Sequence, residues 1–445
     1  MLSNFINHIL KQLSLILLLV LILIPSLALA QVNIKEFYTK KSKVKFWLNE
    51  DKFLPIVAIN IIFKNSGTAY DPKDKLGLAI LTTSLLDEGS GDLSDIEFKK
   101  KLEEYAIQMD FGVTKDYMFI NIKTLSKNLA ATLDLLEKVL ISPDFDNKAI
   151  ERSKNQAIAR ILSLQEDPGY LALNGIYKGI FKTHPYAHPI NGTIENIRNI
   201  TKADLQKYVR NNFTKDNLII SVAGDAEEKN ISALIDQTLD LLPTTKNKLS
   251  ELPVIQYNNK PELISISKPL PQNTILMGFK SVKRTDPDYY AAYITNYILG
   301  GGGFESRLMK NLREKNGLVY STSSDLDLFQ QSGIMVLSAA TRKTDYKKTK
   351  NLMNEILEDA KKGNFSEVEL NMAKKYLTGS FPLQLITNTN IAQVMNSMQL
   401  NNLPIDFIQK RDSFINGVTL ATLNSLAPKL LDNKNMVTVI VGSNL

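Results

Sequence analysis

Asn217-Leu-Ile-Ile-Ser-Val-Ala-Gly224 returns 218 residues later as Asn435-Met-Val-Thr-Val-Ile-Val-Gly442. Three further blocks repeat in the same order at offsets of 216–220 residues: Ile61–Lys64 with Met277–Lys280; Phe145, Ile150 and Lys154 with Phe365, Leu370 and Lys374; and Ile197 and Thr201 with Ile415 and Thr419. Four blocks in one order at a near-constant offset predict that the chain contains two homologous domains. We therefore expect an α+β fold built from two repeats.

Each repeat contains both strand and helix patterns. Val57–Phe63 and Phe119–Ile122 are apolar or alternating runs typical of strands. Leu129–Leu140 and Asn147–Leu164 carry apolar residues at a helical period, and Ser94-Asp-Ile-Glu97 has the form of a capping box that opens another helix. These patterns predict, in each domain, an antiparallel-rich sheet packed with helices.

Residues 1–30 form a separate unit. Lys11 is their only charge, an apolar run ends at Ile24, and Ala28-Leu-Ala30 is a small-x-small site. Such a segment is typical of a secretory signal and is too short to be a convincing membrane-spanning helix. We predict cleavage after Ala30 and export to the periplasm. The alternative is an uncleaved anchor, in which case the chain contacts the membrane only through this segment.

The remaining 415 residues exceed one ordinary core and suit two domains of about 200 residues each. We place the first domain at 31–243, a polar, proline-containing linker at 244–260, and the second domain at 261–445. The chain has no cysteine, so an oxidising compartment gives it no disulfides. Its net charge of +7 is scattered rather than clustered, which argues against nucleic acid as a partner.

Three segments together indicate a family. The first is Leu76-Gly-Leu-Ala-Ile-Leu-Thr-Thr-Ser-Leu-Leu-Asp-Glu-Gly89, and the second is His184-Pro-Tyr-Ala-His-Pro-Ile-Asn-Gly-Thr193. The third is Ile298-Leu-Gly-Gly-Gly-Gly-Phe-Glu-Ser-Arg-Leu308 with Leu312-Arg-Glu-Lys-Asn-Gly-Leu-Val-Tyr-Ser321. In this order they resemble the insulinase/pitrilysin family of inverzincin zinc metallopeptidases, above all its short two-domain bacterial members and the subunits of mitochondrial processing peptidase. The resemblance implies a clamshell of two domains around a chamber.

The resemblance also locates the position at which active members bind zinc. There the first segment resembles G-x-A-H-x-x-E-H, whose two His and one Glu share a helix face. Ile80, Thr83 and Ser84 occupy these three positions, and they cannot replace imidazole ligands or a general base. The family's third ligand, a Glu several residues after Glu151-Arg152, is also missing, because that window holds Arg160 and no carboxylate. We therefore expect this chain to bind no metal.

His184 and His188 form the other candidate metal pair, since they are the only histidines after residue 30. Their spacing would suit one face of a helix, but Pro185 and Pro189 oppose a continuous helix. No nearby cysteine or acid completes a usual ligand set. We interpret the segment as a structural loop.

Arg313 and Tyr320 resemble the family's Arg/Tyr pair, which contacts the substrate carbonyl at the cleaved bond. A cation and a phenol can stabilise the oxyanion of a tetrahedral intermediate. Without the resemblance, Arg313 would be a solvated helix residue and Tyr320 a half-buried strand residue. With it, the sequence predicts that an oxyanion-stabilising pair is kept although the zinc ligands are lost.

The glycine run Gly300, Gly301, Gly302 and Gly303 has two interpretations. No Gly-Lys-Ser/Thr follows it, so a phosphate-binding loop is excluded. One interpretation is a tight turn packed near the opposite half, and the other is a flexible loop that lines the chamber and contacts extended peptide substrate. Glycine permits close backbone approach in both cases.

These observations leave two functions. The favoured one is a non-catalytic subunit of an exported heteromeric zinc metallopeptidase, which is inactive alone and supplies Arg313 and Tyr320 to a homologous partner that carries the zinc. The alternative is a pseudopeptidase that binds peptides or organises an assembly without cleavage. An autonomous hydrolase is disfavoured, because no Ser/His/Asp set is evident.

Overall fold

The computed structural model describes residues 32–244 and 251–443. Within this part of the chain, no helix is both long enough and apolar enough to cross a membrane. The predicted signal segment, residues 1–30, lies outside the described residues. All helices and strands named below belong to one compact unit, Ile34–Leu445.

The β-structure consists of two large sheets and one short pair of two-residue strands. The strands of the first sheet are β1 (Ile34–Tyr38), β2 (Lys45–Glu50), β3 (Ile56–Lys64), β6 (Gln108–Val113), β7 (Tyr117–Leu125) and β8 (Leu218–Gly224). The short pair is β4 (Gly89–Ser90) and β5 (Leu93–Ser94). The strands of the second sheet are β9 (Glu262–Ser267), β10 (Gln272–Ser281), β11 (Val319–Leu328), β12 (Gly333–Arg342) and β13 (Val437–Gly442).

The two sheets have the same topology, which confirms the predicted repeat. The first runs β1-β2-β8-β3-β7-β6 and the second runs β9-β13-β10-β12-β11, so that only β1 lacks a counterpart. In each sheet one parallel pair, β2 with β8 or β9 with β13, accompanies antiparallel neighbours. The strand register repeats as well. Ile61 pairs with Ile220 in the first sheet, and the equivalent residues of the second sheet, Met277 and Thr438, also pair with each other. Two homologous α+β domains are therefore present.

The helices connect and cover these sheets. In chain order they are α1 (Leu78–Thr83), α2 (Asp95–Glu104), α3 (Leu129–Ile141), α4 (Asn147–Leu164), α5 (Pro168–Phe181), α6 (Ile194–Asn199), α7 (Lys202–Asn212), α8 (Glu228–Thr238), α9 (Tyr289–Asn296), α10 (Tyr346–Lys361), α11 (Glu367–Gly379), α12 (Asn388–Leu400), α13 (Phe407–Asn416) and α14 (Leu420–Leu430). The predicted capping box is present, since the Ser94 hydroxyl accepts from Glu97 N while the Glu97 carboxylate accepts from Ser94 N.

The two domains exchange one helix each. Helix α5 follows α4 in the first domain but packs on β10 and β13 of the second sheet. Its counterpart α12 follows α11 in the second domain and packs on β3 and β8 of the first sheet. Each sheet is therefore covered on one face by a helix from the other half of the chain.

The two exchanged helices pack by different means. On α5, Gly175 and Gly179 allow close approach to Val439 and Val437, and an added Cβ on Gly179 would lie 2.6 Å from a Val437 methyl group. On α12 the contacts are polar. The fully buried Asn396 donates to the Asn60 carbonyl oxygen at 2.9 Å, and Gln399 donates to Ile220 O and Ser221 Oγ at 3.0 Å each.

A buried polar cluster joins the β6–β7 turn of the first domain to the β11–β12 hairpin of the second. Lys115 donates from Nζ to the carbonyl oxygens of Tyr186 at 3.0 Å and His188 at 2.6 Å. The Tyr186 hydroxyl donates to Asp116, and the other Asp116 oxygen accepts from Gln330 N at 3.0 Å. Burial lowers the pKa of Lys115 to about 8 and raises the pKa of Asp116.

Candidate functional site

Helix α1 carries the positions at which active members of the family bind zinc, and we call it the degenerate zinc helix. It is shorter than the segment Leu76–Gly89 that resembles the family. It begins after Gly77, whose φ of 99° is left-handed, and the buried Asp71 carboxylate accepts from Gly77 N and Ala79 N. It ends at Thr83, where hydroxyl side chains bond the carbonyls of the preceding turn. The Thr83 hydroxyl donates to Ile80 O at 2.8 Å, and that of Ser84 donates to Leu81 O at 2.9 Å.

The residues at the family's zinc position do not fit a metal. Ile80 is half-buried, Thr83 is buried with its hydroxyl already committed to the backbone, and Ser84 is exposed. Helix α4 packs beside α1, as a third ligand would require, but Arg160 on α4 is exposed and contributes a cation. No group of three or more His, Cys, Asp or Glu side chains that could hold a metal is found in residues 32–244 and 251–443. Helices α1 and α4 are therefore placed side by side as in a zinc site, but their side chains at this position offer no set of metal-binding atoms.

His184 and His188 lie in a loop whose contacts are structural. His184 Nδ1 accepts from Tyr186 N at 3.1 Å, and its Nε2 lies 3.0 Å from the Pro253 carbonyl oxygen. The His188 carbonyl oxygen accepts from Lys115. Burial lowers the pKa of both imidazoles. The His184 side chain and the His188 backbone carbonyl thus help to hold the interdomain cluster around Lys115.

The glycine run continues α9 as a wide π-helical turn, Tyr297–Gly301, beside β11 of its own domain. A Cβ on Gly300 would lie 2.3 Å from Ser324 N, so glycine is required there for close approach to the strand. Gly303 has φ +58°, and a Cβ there would meet nothing within 4 Å. Gly300 follows Ser84 by 216 residues, so the turn replaces, in the second domain, the end of the degenerate zinc helix. A contact with peptide stays a prediction.

Arg313 contacts two exposed aromatic rings. Its guanidinium carbon is 4.9 Å from the ring centroid of Phe304 and 5.1 Å from that of Tyr320, both within cation–π range. Phe304 is 59% exposed and Tyr320 is 79% exposed. Within the described residues, neither the Arg313 guanidinium nor the Tyr320 hydroxyl has a hydrogen-bond or ion-pair partner. The rings therefore orient the cation while its N–H donors stay available to an acceptor from outside the chain.

Arg307, six residues earlier, shows the contrasting arrangement. It donates from Nε and one terminal nitrogen to Glu369 at 2.6 and 2.9 Å, and it also donates to Asn364 O at 2.6 Å. Its guanidinium lies 4.7 Å from the Phe365 ring centroid. Arg307 is thus committed to joining the segment after the glycine run to α11, whereas Arg313 is not.

Two family models match successive parts of the chain. One is described as insulinase (peptidase family M16) and matches residues 46–194; the other is described as the peptidase M16 inactive domain and matches residues 199–377. The chain belongs to the insulinase family of peptidases, M16. All three segments that resemble this family fall within the matched ranges, and one family model covers most of each large sheet.

Individual M16 proteins match along most of their length. The non-peptidase homolog YmxG of Helicobacter pylori is 26% identical over 405 residues, which is 91% of this chain and 93% of that protein. The beta subunit of mitochondrial processing peptidase from Saccharomyces cerevisiae is 22% identical, with 75% of each chain covered. A crystal structure of a peptidase M16 inactive domain from Pseudomonas fluorescens superposes with a TM-score of 0.86 at 27% identity, covering 93% of this chain and 98% of that one.

The sequence predicted the pair Arg313 and Tyr320 but missed Phe304. The signal was an aromatic residue directly after the glycine run, in Gly303-Phe-Glu-Ser306. The sequence alone does not show that this residue contacts Arg313. The contact depends on the 3₁₀ turn Gly303–Glu305, which brings the Phe304 ring to Arg313, nine residues later in the chain. The interdomain cluster around Lys115 was missed as well, since a Lys-Asp pair in a hairpin turn resembles an ordinary solvated turn.

Proposed function

We propose that this protein is the non-catalytic subunit of an exported heteromeric zinc metallopeptidase that cleaves peptides. It contributes substrate binding and oxyanion stabilisation, and a homologous partner subunit contributes the zinc. The proposal includes export to the periplasm by residues 1–30.

The orientation of Arg313 is the observation that carries the proposal. A half-buried arginine without a protein acceptor in the described residues, in cation–π contact with two aromatic rings, has a constrained position and unused donors. Such a group is suited to a negative charge that develops only in a transition state, because its donors need no rearrangement when the charge appears. The Tyr320 hydroxyl adds a second donor beside it.

The degenerate zinc position explains why a partner is needed. Ile80, Thr83 and Ser84 supply neither a metal ligand nor a general base. In the partner, zinc would supply the activated water, while Arg313 and Tyr320 of this chain would bind the carbonyl oxygen of the attacked peptide bond. Two relatives support the division of roles, because one is named a non-peptidase homolog and the other is a subunit of a processing peptidase.

The experiment reconstitutes the pair from this chain and a homologue that carries His-x-x-Glu-His, sought first in the neighbouring reading frame. Tyr320→Phe or Arg313→Ala should each lower turnover of a model peptide by about 10²–10³, the usual effect of deleting one oxyanion donor. Affinity between the subunits, zinc content and melting temperature should stay unchanged. Tyr38→Phe, at another exposed tyrosine, serves as the matched control.

A second measurement tests this chain alone. Purified mature protein should contain no stoichiometric zinc after dialysis and should not cleave peptide. One zinc per chain with chelator-sensitive activity would contradict the proposal. Wild-type turnover from both variants in an active pair would instead favour the pseudopeptidase function, in which the chain binds peptides or organises an assembly without cleavage.

A further inference from the structure

Phe304 is an aromatic residue whose contact with Arg313 leaves more than half of its surface exposed. A single ring, that of Tyr320, would suffice to hold Arg313 by a cation–π contact. The Phe304 ring centroid lies 4.9 Å from the guanidinium carbon, and 59% of the residue's surface is exposed. A large apolar group beside two unused polar donors is the arrangement of a small binding site, in which polar groups fix a ligand and an apolar surface selects it.

The turn that carries Phe304 is firmly tied on both sides. Gly302 N donates to Tyr297 O at 2.8 Å before the ring. After it, the buried Ser306 donates from both its backbone nitrogen, at 3.0 Å, and its hydroxyl, at 2.7 Å, to Gly303 O. The backbone position from which the ring projects is therefore set by the turn.

We infer that Phe304 is a specificity-determining residue whose ring contacts the substrate side chain next to the attacked carbonyl and selects bulky apolar side chains there. This inference rests on the proposed function, since it takes the substrate carbonyl to be bound by Arg313 and Tyr320.

Distances support the contact. A carbonyl oxygen bound to Arg313 lies about 3 Å from a guanidinium nitrogen, and the adjoining Cα lies about 2.4 Å from that oxygen. The flanking side chain thus starts within roughly 6 Å of the guanidinium carbon, while the Phe304 ring centroid is 4.9 Å from the same carbon. A leucine or phenylalanine side chain at that position reaches the ring, whereas a serine side chain does not.

The charges near Phe304 also favour an apolar side chain in the substrate. The cation of Arg313 would repel a lysine or arginine of the substrate, and the acidic residue beside Phe304, Glu305, is already paired with Lys310 at 2.8 Å. A single open apolar surface discriminates between substrate side chains only weakly, at the lower end of the range for hydrophobic sites. The expected preference for a phenylalanine over a serine side chain is therefore about 10-fold.

The test uses four peptides that differ only at the residue on the N-terminal side of the cleaved bond, which is Phe, Leu, Ser or Lys. Dissociation constants are measured with this chain alone, and kcat/KM with the reconstituted pair. Wild type should prefer the Phe and Leu peptides about 10-fold over the Ser peptide. Phe304→Ala should reduce that ratio to about 2-fold or less, with a larger loss for the Phe and Leu peptides than for the Ser peptide, and Phe304→Leu should fall between. Phe53→Ala, at an 87% exposed phenylalanine of the β2–β3 loop, is the matched control and should keep the wild-type ratio.

The outcomes separate the inference from the proposed function. Turnover of the Ser peptide by the Arg313 and Tyr320 variants tests the oxyanion role, whereas the ratio between peptides tests Phe304. Equal affinity of wild type for all four peptides, no binding of any of them, or a preference that survives in Phe304→Ala would overturn the inference. An equal loss for all four peptides in Phe304→Ala would also overturn it, because it would make the ring a positioning residue for Arg313.

Discussion

Two arginines six residues apart show how the same side chain can be committed to the fold or left with free donors. Arg307 is 13% exposed and bonds Glu369 through two nitrogens, so that its charge is neutralised within the fold. Arg313 contacts only rings through its guanidinium in the described part of the chain. Bidentate pairing fixes arginine strongly because two parallel hydrogen bonds define its plane, whereas ring contacts fix the plane and leave the edge free.

This contrast predicts opposite effects on stability and activity. Arg307→Ala should lower the free energy of unfolding by about 2–3 kcal/mol, because it leaves the partly buried Glu369 carboxylate without its partner. Arg313→Ala should change that free energy by no more than about 0.5 kcal/mol, as surface substitutions usually do. Urea unfolding followed by circular dichroism measures both. A large stability loss in Arg313→Ala would mean that the residue is structural.

At the scale of elements, the two exchanged helices bury similar surfaces with different chemistry. Helix α5 uses glycines and aliphatic residues, so that its contact with the second sheet is apolar and tolerant of small shifts. Helix α12 uses Asn396 and Gln399, whose hydrogen bonds require one register on the first sheet. Buried amides of this kind add little net stability when satisfied, but they are costly when one partner is removed.

Asn396→Ala should therefore destabilise the protein by about 2 kcal/mol, because the Asn60 side chain loses its buried partner and a small cavity remains. Ser397→Ala, at an exposed position of the same helix, should change the free energy of unfolding by less than about 0.5 kcal/mol. Thermal unfolding of the two variants in parallel checks the difference. Equal melting temperatures would show that the amide contacts are replaced by water.

The sequence predicted the repeat, the strand equivalence and the helices α3 and α4 because their periodicities are local and their offsets constant. It could not predict which sheet α5 or α12 would cover. Both helices carry an apolar face that suits either sheet, and the choice depends on Gly179 facing Val437 and on Asn396 facing Asn60, contacts between residues more than 250 apart. The same limit applies at the site: the spacing of Arg313 and Tyr320 was readable, but the placement of Phe304 required the geometry of the turn.

At the scale of the whole molecule, Lys115 gives the interface between domains a pH dependence of defined sign. Burial lowers its pKa to about 8, against the ordinary 10.5 of the unfolded chain. Between these values the unfolded state binds more protons, so the contribution of Lys115 to the free energy of unfolding rises with pH. The rise amounts to at most about 3 kcal/mol. It is superimposed on the effects of Asp116, Asp327 and His188, which surround the ammonium group.

Comparison of wild type with Lys115→Met isolates this contribution. The difference in the free energy of unfolding should shift in favour of wild type as the pH rises from 7.5 to 10, because only wild type can release the buried proton. Urea unfolding at a series of pH values measures the shift, and Lys343→Met, at an exposed lysine, controls for the loss of a lysine as such. A difference that is constant or shifts the other way would show that Lys115 remains fully charged in the fold.

The exchange of α5 and α12 makes the chain the covalent equivalent of an arm-exchanged dimer. Each half lacks the helix that covers one face of its own sheet, so fragments 32–244 and 251–443 should fold only in each other's presence. In the intact chain the connection holds the halves at an effective concentration in the millimolar range. Cutting between Thr244 and Glu251 should turn unfolding into a dissociation, and tenfold dilution of the cut protein should then lower its melting temperature by about 2 °C while leaving that of the intact chain unchanged.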